Sequence, residues 1–175
     1  CKRHFGVDAT LVLDPTLLLD RVDYAKACAN IPTKDKHIFV YSLVVSDKVL
    51  AVASSISQKT GLPAVIKQAG DKVREEDTIE DWFAEFRDAD YVVTDSFHGM
   101  VFSIIFNKPF YIVMNPSGGN DRYISLLSQL GLMDRIVCDE KLPMNLENEI
   151  DWLEVNQKLL ILSKDSIQFL KENLR

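Results

Sequence analysis

Short apolar runs alternate along the chain with longer segments in which apolar residues recur at helical spacing. The runs at 38–43, 64–66, 91–93 and 110–114 predict strands, and the segments between them predict helices. Strands that alternate with helices are typical of βαβ units, in which neighbouring strands run parallel. The pattern therefore predicts an α/β fold, a Rossmann-like three-layer domain with a mainly parallel sheet.

Residues that favour helix ends mark the limits of the predicted helices. Ser46 or Asp47 is expected to cap a helix that runs to about residue 60, where Gly61 ends it. Thr78 is expected to cap a helix through residue 86. Asp81 follows this cap by three residues, but its side chain is shorter than the glutamate of a capping box, so the box is expected to be only approximate. Further helices are predicted at about 121–130 and in the tail, 149–175.

Residues 94–100, Thr-Asp-Ser-Phe-His-Gly-Met, join the predicted strand 91–93 to an apolar helix. Asp95 or Ser96 is expected to cap this helix. In an open parallel sheet, ligands bind beyond the carboxyl ends of the strands, where the N terminus of the following helix attracts anions. His98, at this junction, is therefore a better candidate functional residue than a histidine elsewhere.

Composition and charge argue against several classes of protein. Hydrophobic residues make up 47% of the chain and charged residues 26%, which suits one core under a charged surface. The net charge is −6 and no dense block of Lys and Arg is present, which argues against nucleic-acid binding. No apolar run approaches the roughly 20 residues that span a bilayer. Cys1, Cys28 and Cys138 are odd in number and widely spaced, so reduced thiols are expected, with no disulfide framework and no metal site.

The segment 89–110, which contains Ser-Phe-His-Gly between its strand and its helix, resembles the polysaccharide pyruvyl transferase family. Other elements add to the resemblance in the same order along residues 5–137. They are Asp14-Pro15-Thr16 after an apolar run, Asn120-Asp121-Arg122, and Leu126-Leu127 with Leu130-Gly131-Leu132.

The resemblance implies two Rossmann-like halves facing each other across a cleft, as in GT-B-like glycosyltransferases, with this chain as the C-terminal half. Residues 1–20 are then a strand and linker from an absent N-terminal half, 21–148 a donor-binding domain, and 149–175 a helical tail that packs on the domain or on the missing half. Without that half the chain is expected to be inactive by itself. It would also expose apolar surface through which two copies could form a homodimer.

The chemistry that the resemblance implies is transfer of the enolpyruvyl group of phosphoenolpyruvate to a sugar of a cell-surface polysaccharide, such as a capsule or exopolysaccharide. A pyruvate ketal forms and phosphate leaves, with no cofactor. The acceptor would be a glycan or a lipid-linked sugar, and the expected location is the cytoplasm, with peripheral contact to the inner membrane face. His98 would act as general acid or base. The donor phosphate and carboxylate would meet Ser96, the Gly99 backbone and Arg122.

Each of these residues also has a structural interpretation. His98 could cap the helix or bind a neighbouring carbonyl, and Ser96 suits the N-cap for backbone reasons alone. Gly99 could allow close approach of the donor phosphate or only a tight turn. By default, Arg122 would be a surface residue that pairs with Asp121 or Asp134.

Sheet topology adds two further candidates, Tyr41 at the end of the first strand and Asn115 after the strand 110–114. Tyr41 could instead be a core aromatic with its hydroxyl at the rim. His4 and His37 lie away from the predicted ligand edge, so solvated or capping roles are expected for both.

Two other functions remain open on the same fold. A nucleotide-sugar-dependent glycosyltransferase would bind its donor diphosphate at the same helix start. A noncatalytic module would recognise a glycan or a biosynthetic partner, although the joint presence of Ser96, His98, Gly99 and Arg122 argues against it.

Overall fold

A computed structural model describes residues 5–70, 78–114, 118–137 and 149–174 of the 175-residue chain. Five parallel strands form one sheet in the order β2-β1-β3-β4-β5. The strands are β1 (Ile38–Ser42), β2 (Ala64–Gln68), β3 (Tyr91–Thr94), β4 (Phe110–Val113) and β5 (Ile136–Val137). Along the chain, β2 is added on one side of β1, and β3, β4 and β5 are added on the other. Doubly wound α/β folds have the same change of side, and their ligands bind in the crevice that forms there.

Six α-helices lie within the described ranges. They are α1 (Arg21–Ala27), α2 (Asp47–Thr60), α3 (Ile79–Asp88), α4 (Phe97–Ile105), α5 (Asp121–Leu130) and α6 (Trp152–Asn173). Two 3₁₀ turns, Pro15–Leu18 and Met133–Arg135, complete the elements. None of the described helices is both long and apolar enough to cross a membrane.

Apolar side chains cover both faces of the sheet. Ile38 and Val40 of β1 join a buried cluster with the inward residues of α2. Phe39, whose side chain points to the opposite face, joins a second cluster built mainly from α3, α4 and α5. Helices therefore cover the sheet on both faces, and the predicted three-layer α/β fold with a parallel sheet is confirmed.

The helix limits follow the predicted caps closely. Ser46 caps α2 and Gly61 ends it in the left-handed conformation with φ 75°. The expectation of an approximate box at α3 was wrong. Asp81 Oδ2 accepts hydrogen bonds from Thr78 N at 3.0 Å and Thr78 Oγ1 at 2.8 Å, and Thr78 Oγ1 accepts from Asp81 N at 3.2 Å. The shorter carboxylate therefore completes a reciprocal capping box.

The N-terminal segment and the tail pack against each other. Residues 5–20 contain the 3₁₀ turn Pro15–Leu18 and no strand, in contrast to the strand expected there. Leu13 N donates to Ser166 Oγ of α6 at 3.0 Å. Val155 of α6 is buried in the same cluster as Leu17. Helix α6 therefore packs on the N-terminal segment and the core of its own chain.

Candidate active site

The start of α4 is fixed by side chains at the carboxyl end of β3. Ser96 is the N-cap, and its Oγ accepts a hydrogen bond from Gly99 N at 3.4 Å. Ser96 N in turn donates to Thr94 Oγ1 at 3.0 Å. Ser96 is therefore the N-cap of α4, and Asp95, the other residue predicted as a possible cap, is not.

Gly99 is required by the contact between this helix and the strand before it. A Cβ added to Gly99 would lie 2.2 Å from Thr94 Oγ1, which is far inside van der Waals contact. Both residues are buried, so neither side can move away freely. Close packing within the chain is therefore sufficient to explain the glycine, and its backbone N–H is already used by the Ser96 cap.

Asp95 ties three segments together beneath the site. Its Oδ1 accepts a hydrogen bond from Leu43 N at 2.6 Å, and its Oδ2 accepts one from Val44 N at 3.1 Å. Its carbonyl oxygen accepts a hydrogen bond from the Tyr123 hydroxyl at 2.7 Å. These hydrogen bonds thus fix the positions of the loop after β1, the start of α4 and the first turn of α5 relative to one another.

His98 projects from this rigid start into a partly open position. Its Nε2 lies 3.7 Å from Asp14 Oδ2, and about half of its side chain is exposed. The other Asp14 oxygen, Oδ1, accepts hydrogen bonds from Thr16 N at 3.0 Å and Thr16 Oγ1 at 2.6 Å. The 3₁₀ turn Pro15–Leu18, which Asp14 caps, therefore presents a fixed carboxylate to His98.

The environment favours the ionised form of Asp14. Burial by itself raises the pKa of this carboxyl, but the two hydrogen bonds from Thr16 and the charges of His98 and Arg122 outweigh it. The net pKa of Asp14 is below its ordinary value. At neutral pH the group that faces His98 is therefore a carboxylate that can only accept hydrogen bonds.

Arg122, in the first turn of α5, lies over the side chain that precedes His98. Its guanidinium carbon is 3.9 Å from the centre of the Phe97 ring, a cation–π contact. Its charge also reaches Asp14, whose pKa it helps to lower. Asp134, one of its two expected surface partners, pairs with Arg135. The structure thus gathers Asp14, Phe97, His98 and Arg122 in one place.

A cavity of about 480 Å³ adjoins this group between α5, α6 and the segment 11–17. Asp14, Phe97 and Arg122 belong to its lining, together with apolar side chains such as Leu126 and Leu162. A largely apolar cavity with a few convergent polar groups is the usual form of a ligand pocket.

One predicted site residue, Tyr41, is not part of this group. Tyr41 packs its ring against Phe39, Trp82 and Phe86, with centroid distances of 6.2, 5.1 and 6.3 Å. Burial raises the pKa of the Tyr41 hydroxyl, and the charge of Asp95 adds to the effect. These contacts match the alternative in which Tyr41 is a core aromatic. Asn115 lies outside the described residues.

Asp14 is the residue that sequence reasoning missed. It belongs to the Asp-Pro-Thr motif that carries part of the family resemblance, but the motif by itself indicates no chemical role for it. A signal was present, because an aspartate before Pro and Thr is a typical cap of a turn or helix. Nothing in the local sequence shows that such a cap, far from residue 98 along the chain, reaches the histidine.

His37 is buried, so of the solvated or capping roles expected for it, the solvated one was wrong. Its Nδ1 lies 2.8 Å from the carbonyl oxygen of Asp35, and its Nε2 lies 3.2 Å from Glu85 Oε2. Glu85 Oε1 also meets the ammonium groups of Lys34 at 2.6 Å and Lys67 at 3.4 Å. We refer to these four side chains, His37, Glu85, Lys34 and Lys67, as the Glu85 cluster.

The fold and the site define the chain as a Rossmann-like α/β protein with a histidine and a carboxylate where a parallel strand enters its helix. Residues 1–117 match the polysaccharide pyruvyl transferase family. The chain therefore belongs to that family of transferases, which confirms the resemblance seen in the sequence. Asp14, Ser96 and His98 lie within the matched range, and Arg122 lies beyond it.

Comparisons with individual proteins add little. No curated protein matches the chain. A solved structure, described as the crystal structure of the RPS4 and RRS1 TIR domain heterodimer, is similar at 16% identity. The similarity covers 76% of this chain and 99% of that chain, with a TM-score of 0.40. A likeness at this level carries no argument about fold or function.

Proposed function

We propose that the protein transfers the enolpyruvyl group of phosphoenolpyruvate to two hydroxyls of one sugar in a surface polysaccharide. The observation that carries the proposal is a half-exposed His98 beside Asp14, whose carboxylate is also under the charge of Arg122, in a chain of the polysaccharide pyruvyl transferase family. The acceptor would be a glycan or a lipid-linked sugar reached from the cytoplasm.

The reaction makes demands that these residues can meet. The methylene carbon of the donor gains one proton, two sugar oxygens bond to C2, and the bond between C2 and the phosphate oxygen breaks. The two hydroxyl protons go to the new methyl group and to the departing phosphate. His98 would move protons between these sites, since an imidazole can both accept and donate near neutral pH.

The donor carries two anionic groups, a phosphate and a carboxylate. Arg122 would bind one of them, because a guanidinium can form two parallel hydrogen bonds to either group. The helix start, Ser96 to Gly99, would add the partial positive charge of a helix N terminus. In this proposal Ser96 and Gly99 act mainly by holding the helix start in place beside the anion.

Donor binding is the first test. Thermal unfolding is measured with millimolar phosphoenolpyruvate, because a ligand that binds only the folded state raises the midpoint. A rise that is lost in Arg122→Ala and partly kept in Arg122→Lys is the expected result. Inorganic phosphate and a nucleotide sugar serve as controls. Stabilisation by a nucleotide sugar but not by phosphoenolpyruvate would instead identify a glycosyltransferase donor site.

Turnover is the second test, followed as phosphate release in the presence of a glycan acceptor. Because the implied cleft has two walls, it is measured with both halves of the enzyme present. His98→Ala is expected to abolish turnover, and so is His98→Gln, which keeps the size of the side chain but cannot carry a proton. Both variants should keep the unfolding midpoint of the parent. Full activity in either variant would remove His98 from the mechanism.

A further inference from the structure

We propose that Asp14 is a positioning residue for His98. Its carboxylate faces Nε2 of the imidazole and orients the ring, which leaves Nδ1 as the nitrogen that accepts a proton. The inference rests on the proposed function in one respect, which is that His98 transfers a proton during the reaction. The arrangement itself can be tested without turnover.

The two oxygens of Asp14 have separate tasks. Oδ1 accepts both hydrogen bonds from Thr16, which caps the 3₁₀ turn. Oδ2 makes the approach to His98 Nε2 at 3.7 Å. Because Oδ1 is fixed at two points, the carboxylate cannot turn freely and Oδ2 has a defined position. Hydrogen bonds in an empty catalytic site are often long and shorten when the substrate binds.

The cap alone does not require a carboxylate. Asparagine and serine cap helices and turns about as well as aspartate, since one acceptor oxygen is enough. The second oxygen of Asp14 is the one that faces the histidine. A purely structural Asp14 would therefore be replaceable by asparagine without consequence, whereas a positioning Asp14 would not.

The turn that carries Asp14 has firm support. The Tyr24 hydroxyl donates to the carbonyl oxygen of Thr16 at 2.9 Å. Leu17 is buried in the same cluster as Phe39, and Leu13 N donates to Ser166 Oγ of α6. A reacting side chain is held best by groups that are themselves locked by packing and hydrogen bonds. Elements from the N-terminal segment, α1 and α6 thus converge to hold one carboxylate beside α4.

The charge of Asp14 determines which imidazole nitrogen carries the proton. An ionised carboxylate only accepts, so its approach to Nε2 at 3.7 Å favours the neutral tautomer with the N–H at Nε2. Nδ1 is then the unprotonated nitrogen, available to take a proton from a sugar hydroxyl. The same logic governs the carboxylate–histidine pairs of hydrolases, where the acid holds the imidazole in the required tautomer.

Asp14→Asn separates the two tasks. The asparagine oxygen can accept both Thr16 hydrogen bonds, while its amide NH₂ replaces the oxygen that faces His98. An amide donor favours an unprotonated Nε2, so the preferred tautomer of neutral His98 should invert from Nε2–H to Nδ1–H. Imidazole ¹⁵N shifts measure this directly in alkaline buffer, and the His98 signals are assigned by their loss in His98→Gln.

Activity provides the second readout. Asp14→Asn is expected to lower kcat by about 10- to 100-fold with KM little changed, which is the loss found when outer partners that orient a functional histidine are removed. Asp14→Ser, whose hydroxyl can cap the turn but cannot reach His98, should give a mixture of tautomers and a similar loss of kcat. It also serves if Asp14→Asn does not fold.

An unchanged tautomer in a folded Asp14→Asn or Asp14→Ser protein would overturn the proposal, and so would unchanged kcat. Failure of the proposed function would look different. In that case phosphoenolpyruvate would neither bind nor turn over in the parent protein, while the tautomer would still invert in Asp14→Asn.

Discussion

The protein contains two histidine–carboxylate pairs that differ in access to solvent. His98 and Asp14 lie 3.7 Å apart with side chains 51% and 24% exposed. His37 and Glu85 lie 3.2 Å apart with side chains 4% and 3% exposed. The groups in the two pairs are chemically the same, so the surroundings must determine what each pair does.

The buried pair joins several elements of the fold, whereas the open pair leaves an imidazole that is half exposed to solvent. Both nitrogens of His37 face protein oxygens, and Glu85 also meets two lysines. These contacts join α3 to β2 and to the segment that leads into β1. Among the described residues, a carboxylate approaches His98 at Nε2, about half of the His98 side chain is exposed, and Asp14 rather than His98 lines the neighbouring cavity. Access and spare bonding capacity therefore separate a candidate catalytic histidine from a structural one.

The largest expected effect is in the Glu85 cluster. Glu85→Ala leaves two ammonium groups and a buried imidazole without their shared carboxylate. The expected loss is about 2 to 4 kcal/mol of unfolding free energy, below the extreme for buried pairs because both lysines reach solvent. Urea denaturation measures it. The matched change in the open pair, His98→Ala, should stay within about 0.5 kcal/mol of the parent. Equal losses in both variants would contradict the comparison.

An intermediate effect is expected beneath the open pair. Gly99→Ala forces a methyl group against buried Thr94, which should cost about 1 to 3 kcal/mol of stability. The same change displaces the helix start, so it should also weaken donor binding. Thr94→Ala serves in a double-mutant cycle, where the combined variant should lose less than the two single losses added together. If the stability losses of Gly99→Ala and Thr94→Ala simply added in the double variant, the cost of Gly99→Ala would not come from its contact with the Thr94 side chain.

The smallest effect is expected in the stability of the protein at acidic pH. The folded-state pKa of Asp14 is below the ordinary value of 3.8. The stability that this provides is complete above the ordinary value and is lost as pH falls through the folded-state pKa. Asp14→Asn should therefore flatten the decline of the urea midpoint slightly between about pH 5 and about pH 1. Asp88→Asn is a useful comparison, because burial raises the pKa of Asp88 but hydrogen bonds from Arg87 and Lys34 lower it overall. An unaltered slope in Asp14→Asn would show that its carboxyl titrates alike in the folded and unfolded chain.

Most of the fold could be predicted because the local signals agree. The caps Ser46 and Thr78 and the stop at Gly61 lie where the structure has them. The two-residue strand β5 and the short α1 were not predicted, because too few residues carry a periodic pattern in them. The capping box at Thr78 was underestimated because the length of a side chain does not reveal how closely the backbone approaches it.

The site could be predicted only in part. His98, Ser96 and Gly99 belong to one local motif, so sequence reasoning found them together. Asp14 comes from a distant turn, and its approach to His98 depends on how that turn packs against α4 and α6. Tyr41 satisfied the topological rule for a ligand-facing strand end, but its partly buried ring packs against Trp82 and Phe86 of α3.

The order of the strands has a consequence for how the chain acquires its site. In the centre of the sheet, Ile38 of β1 pairs with Tyr91 of β3, so a long segment including all of β2 must be closed into a loop first. Contacts between residues so distant in sequence slow folding, whereas helices form within about a microsecond. A refolding chain should therefore recover helical circular dichroism early and the pairing of His98 with Asp14 late, when β3 enters between β1 and β4.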